Sequence, residues 1–421
     1  MGKVGLVLCG GVAKGAYEAG ALKAIAEHQI YPDAIVGISA GAINGAFAAQ
    51  LLAVGKFTPQ VIEQELSHHW RDSVTAHNLY HGYERTDGDE LDRRNIRTLF
   101  KRIGVDPLVR RYSPRLGFDS LFAFEQLIRG DFASVISHHF IRQIIEENIR
   151  FPHHVRRPVR LSLVATDITG STSLSDEMKL SAQYSHYEDF AWDADLDEAK
   201  WDDMFPRLMR MIEASSSFPF LFPPVRDEAH DMLLLDGALM DNSPIGRVIG
   251  MDPEIDTVLV VSAVTTVDPP VAELDTLYGV LGRVFSMLAG RFIIQNFRKV
   301  LQQNEKLVRL RQLLKYGKNG NVLRNPYNEA LALAAGYKSL DDLVRRRIVR
   351  LIPIFPKPSL HGDVFMGFFQ PELREQYIEQ GYLDAMAALE RQSLVSIGSA
   401  PLSEEEILFA SELQSDHPLE A

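Results

Sequence analysis

Ala34-Ile35-Val36-Gly37-Ile38-Ser39-Ala40-Gly41 is the stretch that decides the fold. An apolar run leads into the pentapeptide Gly37-Ile38-Ser39-Ala40-Gly41, and residues 40–54 that follow are rich in Ala and Leu. The pattern predicts a short buried strand, a sharp turn at Ser39 and then a helix. A serine on such a turn presents its hydroxyl at the end of a strand, where it can act as a nucleophile. The flanking glycines let the backbone turn without a Cβ clash, and the N-terminus of the helix favours a developing negative charge. Gly, Ala and Ser also crowd ordinary tight turns. Taken alone, the pentapeptide leaves a nucleophile and a plain turn both open.

A second strand-to-helix passage lies nearer the N-terminus. Val4 to Cys9 reads as a buried strand, Gly10-Gly11-Val12-Ala13-Lys14-Gly15 follows, and residues 16–27 read as a helix. Glycines at a strand end that open into a helix present several backbone N–H groups to one point and suit an anion. The dinucleotide fingerprint is excluded because no Gly-x-Gly occurs here. The phosphate loop is excluded because Gly15 is followed by Ala16 rather than a Lys-Ser/Thr pair. An oxyanion hole for acyl transfer remains, beside a ligand-free turn. A third mark is Asp236-Gly237, which follows the apolar run Met232 to Leu235. Asp-Gly is a common turn, but the end of a strand in a parallel sheet is also where sites form.

Together these motifs resemble the patatin-like phospholipases, serine acyl hydrolases that use a Ser-Asp dyad in place of a triad. The resemblance rests on residues 10–15, on residues 37–41 and on Asp236-Gly237-Ala238. Residues 165–170, residues 214–219 and Phe222-Pro223-Pro224 support it, in the same order along residues 3–263. It implies a three-layer α/β sandwich with a mainly parallel central sheet, helical insertions and a C-terminal helical extension. It also implies Ser39 as nucleophile and Asp236 as base, with Gly10, Gly11 and Val12 as oxyanion donors. Lys14, Gly15, Gly37, Gly41 and Gly237 support the motifs. The implied chemistry needs no cofactor and no metal. One departure is Val12, which stands where the family pattern has a third glycine. Its β-branched side chain restricts the loop's φ/ψ.

Composition fits this reading. The chain has 421 residues, enough for a large core and more than one subdomain. Its net charge is −12 at pH 7 without a basic tract, which argues against nucleic acid as a partner. It also leaves little electrostatic pull toward anionic lipid, so membrane contact would be peripheral and mainly hydrophobic. Met1-Gly2-Lys3 enters a strand directly, without the marks of a secretory signal. A single cysteine, Cys9, excludes an internal disulfide framework. A cytoplasmic location is expected. The expected substrate is a phospholipid, a lysophospholipid or another acyl ester.

The organisation expected is a catalytic domain over residues 1–265, with a mostly helical insertion at about 56–156, and a helical C-terminal region over 266–421. Strands are predicted at 159–164, 232–235, 257–264 and 346–356, and helices within 118–150 and at 299–316 and 371–390. Residues 171–203 are acidic and aromatic-rich, with Tyr184, Tyr187, Phe190, Trp192 and Trp201. They read as a surface loop packed by its own side chains, with an acyl-channel lining as the alternative. Residues 277–297 are apolar at helical spacing, interrupted by Arg283 and Arg291 and loosened by Gly279, Gly282 and Gly290. They read as a helix packed on the core. The competing expectation is a lid, with Phe285 and Leu288 touching lipid. No apolar run is long enough to cross a membrane. His68-His69, His138-His139 and His153-His154 do not form a metal site, since adjacent residues on a helix do not face one another.

Two other functions compete: a Ser-His-Asp esterase or acyltransferase drawing on His230 or His361, and a non-catalytic patatin-like interaction protein. Asp167, at a strand end, is the rival base.

Overall fold

The computed structural model describes residues 2–75, 138–169, 184–219, 221–264, 277–357, 359–362 and 364–395. The strands are β1 (Lys3–Leu8), β2 (Ala34–Ile38), β3 (Val159–Asp167), β4 (Ser185–Trp192), β5 (Val225–Asp227), β6 (Met232–Asp236), β7 (Ile255–Val261) and β8 (Arg350–Ile354). They form one sheet in the order β5-β6-β3-β2-β1-β7-β8, with β4 paired to β3. The run from β3 to β8 is parallel throughout, while β4, β5 and β6 are antiparallel additions.

A parallel sheet needs cover on both faces, and the helices supply it. They are α1 (Ala16–Glu27), α2 (Ala40–Ala53), α3 (Pro59–Ile62), α4 (His139–Asn148), α5 (Glu198–Ser215), α6 (Ile245–Met251), α7 (Leu277–Leu313), α8 (Pro326–Ala334), α9 (Leu340–Arg345) and α10 (Pro371–Val395). Side chains alternate along a strand. Gly5 of β1 meets Val248 of α6, whereas Leu8, of opposite parity, meets Gly45 of α2. Sheet and helices therefore form three layers. The outer helices pack closely in turn: a Cβ on Gly20 of α1 would overlap the Ile378 carbonyl of α10, and one on Gly381 of α10 would overlap the Tyr17 carbonyl.

Register explains how the site assembles. β2 occupies one edge of β3 as far as Val164, which lies opposite Ile38. β4 holds the other edge, from Val159 to Thr166. Ala165, Thr166 and Asp167 pair with Asp236, Leu235 and Leu234 of β6, so β6 must share the β2 edge and run head-on into the end of β2. Asp236 takes the place along β3 that Ser39 would occupy had β2 continued straight.

Two expectations change. Residues 184–203 are not a surface loop: β4 pairs along almost all of β3, Phe190 and Trp192 are buried, and α5 opens at Glu198. The acidic composition hid the strand because its carboxylates find cations elsewhere, Glu188 on Arg207 and Asp189 on Arg247. Residues 277–297 and 299–316 are not two helices but mostly one, α7. Its buried stripe of Phe285, Ala289, Ile293, Phe297, Val300, Asn304, Leu307 and Leu310 keeps helical spacing throughout. That stripe outweighs the cost of three glycines, about 1 kcal/mol each. The strand expected within 346–356 is β8, which joins the central sheet beside β7, and in the same C-terminal region Leu307, Leu310, Leu314, Ala332, Leu340 and Leu343 make a second small core. Most of the expected insertion, 76–137, and the stretch 170–183 lie outside the described residues.

Candidate active site

Ser39 sits between the last residue of β2 and the first of α2 with φ 56 and ψ −127. A positive φ on a non-glycine residue costs about 1–3 kcal/mol and persists only where its surroundings impose it. Here the Ser39 N–H donates to Ser215 Oγ at 3.0 Å, and its carbonyl accepts the Ala42 N–H at 2.9 Å. Ser39 is buried at 3% exposure. Gly15, Gly37, Gly41 and Gly237 all stand where a Cβ would overlap a neighbour, which is why the two strand-to-helix turns pack so tightly.

The loop after β1 has Gly10 at φ 69 and Val12 at φ 56. A Cβ on Gly10 would overlap the Ile38 carbonyl and stand 2.7 Å from Ser39 Cβ, so the loop lies directly on the elbow. One expectation needs correction. The Gly10 N–H is not free for an oxyanion, because it donates to Glu18 Oε1 at 2.7 Å. The N–H groups of Gly11 and Val12 have no hydrogen-bond partner among the described residues. Ala13 donates to the Val364 carbonyl at 3.0 Å, and Lys14 Nζ to the Leu360 carbonyl at 3.3 Å, so the C-terminal region braces this loop.

Asp236 is fully buried at the end of β6. Its N–H donates to the Ser217 carbonyl at 3.0 Å, its carbonyl accepts from Thr166 Oγ1 at 2.8 Å, and its Oδ1 accepts the Ala238 N–H at 2.9 Å. Oδ2 accepts no hydrogen bond of ordinary geometry, although the Ser39 hydroxyl is near enough to stabilise the charged carboxylate. Burial pushes the Asp236 pKa up to about 7, against the opposing pull of the Ala238 N–H and Ser39. A carboxyl so placed titrates near neutrality, where a general base works best.

Ser39 opens onto an apolar pocket. Val12, Ile43 and Phe47 line it with Trp70, Phe140 and Ile144; Phe218, Phe222 and Phe368 complete the wall. Flexible aliphatic chains suit such a slot. None of the aromatics at residues 184–201 lines it. Phe285 of α7 is buried against Phe218, ring centroids 5.2 Å apart, and so faces inward rather than toward lipid. Asp167, the rival base, has Oδ1 engaged by the Thr169 N–H at 2.9 Å. His230 pairs with Asp227 at 2.8 Å, and neither it nor His361 lines the pocket. His69 does, but its Nε2 meets Asn148 Nδ2 at 3.0 Å and its Nδ1 faces Ser73 Oγ at 3.4 Å. Among the described residues no group of three His, Cys, Asp or Glu could hold a metal ion.

Sequence patterning did not single out Glu18, Asn44 or Trp70, which lie beneath the loop. A signal was present for the first: Glu18 is the one charge in the opening turns of a helix whose other early positions are small or apolar.

The patatin-like phospholipase family profile matches residues 6–249, more than half of the chain. The chain belongs to this family. Membership makes it a lipid hydrolase of the broad patatin-like class. No curated protein matches the chain. Among solved structures it is similar to VipD from Legionella pneumophila, with 17% identity, 98% of this chain and 74% of that chain covered, and a TM-score of 0.35. The patatin-like fold is seen in the mainly parallel sheet flanked by helices. No helix among the described residues is long and apolar enough to cross a membrane.

Proposed function

We propose that the protein hydrolyses fatty acyl esters of phospholipids or lysophospholipids with a Ser39–Asp236 dyad. One observation carries this reading: Asp236 Oδ2, fully buried and without a formed hydrogen bond, stands beside a strained serine at an apolar pocket. Asp236 as carboxylate takes the Ser39 proton while Oγ attacks the ester carbonyl. The negative charge on the carbonyl oxygen is met by the N–H groups of Gly11 and Val12. The acyl chain lies in the pocket among Phe47, Phe140, Phe218 and Phe222. As the tetrahedral intermediate collapses, the leaving alcohol takes the proton from Asp236. Water then attacks the acyl-serine as Asp236 again accepts a proton; the bond from Oγ to the acyl carbon breaks, Asp236 returns the proton to Ser39 Oγ, and the free fatty acid leaves.

A histidine relay is not favoured, because each candidate ring is engaged elsewhere or stands off the pocket. The exposed stripe of α7, Val280, Val284, Met287 and Leu288, supports peripheral contact with a lipid surface next to the pocket wall. The reading is tested by incubating the enzyme with defined phospholipids and lysophospholipids and weighing the released acid by mass. A fluorophosphonate probe should label wild type and fail to label Ser39→Ala. Labelling of Ser39→Ala at the wild-type rate would overturn the proposal.

A further inference from the structure

Glu18 is fully buried in α1 and plays no part in the proton transfers above, yet both of its oxygens are engaged. Oε1 accepts the Gly10 N–H at 2.7 Å, and Oε2 accepts from Asn44 Nδ2 at 2.8 Å. Asn44 Nδ2 also donates to the Gly15 carbonyl at 3.0 Å, and its Oδ1 accepts from Trp70 Nε1 at 2.7 Å. The polarity of this chain follows from its ends. An indole N–H only donates, so Asn44 must turn Oδ1 toward Trp70 and Nδ2 toward Glu18. A backbone N–H only donates, so Oε1 must accept. Both oxygens of residue 18 therefore have to be acceptors, and of the side chains of this length only a carboxylate offers two.

Resting on the acyl-hydrolase reading, we infer that Glu18 is a positioning residue for the reaction. It fastens the oxyanion loop from below at Gly10 and, through Asn44, couples that loop to Trp70 in the wall of the acyl pocket. Because Gly10 spends its N–H on Glu18, the loop is fixed at its first residue, and Gly11 and Val12 are the donors left for the oxyanion. Burial pushes the Glu18 pKa up to about 8, against the opposing pull of the Asn44 and Gly10 hydrogen bonds. Trp70 lines the pocket at the other end of the same chain. A misplaced acyl chain and a misplaced oxyanion donor are thus the same disturbance.

The deciding experiment compares Glu18→Gln with wild type on a soluble nitrophenyl ester, reading kcat and KM separately. Glutamine offers one acceptor and one donor, and its donor meets the fixed donor of Asn44. Kcat should fall on the order of 10²-fold with KM little changed, the loss expected when catalytic groups are displaced by about an ångström. A purely structural loss would move KM and the melting temperature together with kcat. Wild-type kcat in Glu18→Gln would overturn the inference. If Glu18→Gln does not fold, Trp70→Phe keeps an aromatic side chain in the wall but lacks the indole N–H; it should lower kcat, and an unchanged value would overturn the inference equally. Ser39→Ala run alongside separates the two failures. If it is inert while Glu18→Gln is fully active, only the role of Glu18 falls; if it stays active, the dyad reading falls.

Discussion

Two regions of the molecule each hold one fully buried carboxylate, Glu18 beneath the oxyanion loop and Asp236 in front of the nucleophile. Burial pushes both pKa values up, to about 8 and about 7. They differ in what they touch. Glu18 has a donor on each oxygen, whereas Asp236 has one donor on Oδ1 and leaves Oδ2 to the Ser39 side. A saturated carboxylate holds geometry; a half-satisfied one has an oxygen left to take a proton. On the proposed mechanism burial does not mark the base, and the unfilled hydrogen-bond site does.

The largest effect should come from Ser39, the proposed nucleophile. Ser39→Ala should lower acyl hydrolysis on the order of 10⁶-fold with the fold retained, as when a nucleophile acting in a unit is removed. Residual turnover near wild type, read as released fatty acid, would end the comparison altogether. Asp236→Asn should cost roughly 10⁴-fold, and combining it with Ser39→Ala should add little. If Asp236→Asn were milder than Glu18→Gln, the two carboxylates would have to exchange roles.

A pH series sharpens the contrast. The proposed mechanism needs Asp236 as carboxylate, so kcat/KM should rise through about pH 7. Stability runs the other way. A folded pKa above the unfolded value of 3.8 means that the folded state binds the proton more tightly, so stability is lost as pH climbs from about 4 to 7. Asp236→Asn removes that cost and should melt higher than wild type at pH 8, by at most about 4 kcal/mol, with the advantage gone near pH 3.5. Equal melting temperatures at pH 8 would show that the site does not disfavour the charge.

The smallest expected effect lies on α7. Val284→Asp with Met287→Asp alters exposed positions and should cut hydrolysis of phospholipid vesicles roughly tenfold through lost apolar contact, sparing a soluble ester. Phe285→Ala should instead lower the melting temperature and both activities, since deleting a buried phenyl ring costs about 3–5 kcal/mol. Vesicle activity equal to wild type in the double variant would reduce the stripe to ordinary surface.

The nucleophile turn, the glycine loop and the strand before Asp236 were legible because each is local: an apolar run, a turn residue, a helix. The pairing of Asp236 with Ser39 was not derivable from spacing, because it depends on β6 meeting β2 end to end along β3, nearly two hundred residues apart in the chain. β4 escaped notice for a related reason. Its Glu188 and Asp189 look like loop residues until Arg207 and Arg247, on two different helices, come to lie against them. Glu18 was readable as an oddity, a charge among alanines, but its meaning needed the Gly10 N–H that bends back to meet it.

The seam between α1 and α10, where Gly20 and Gly381 bring two helix backbones together, has a consequence for the order of synthesis. Translation delivers every catalytic motif by residue 237. The carbonyls of Val364 and Leu360 that brace the oxyanion loop, and the Phe368 that lines the pocket, come more than a hundred residues later. A chain halted at residue 350 carries Ser39, Asp236 and the glycine loop, but lacks the two carbonyls that brace that loop and the ring that completes the pocket wall. Of the described helices, the last to leave the ribosome is the one that closes over the first.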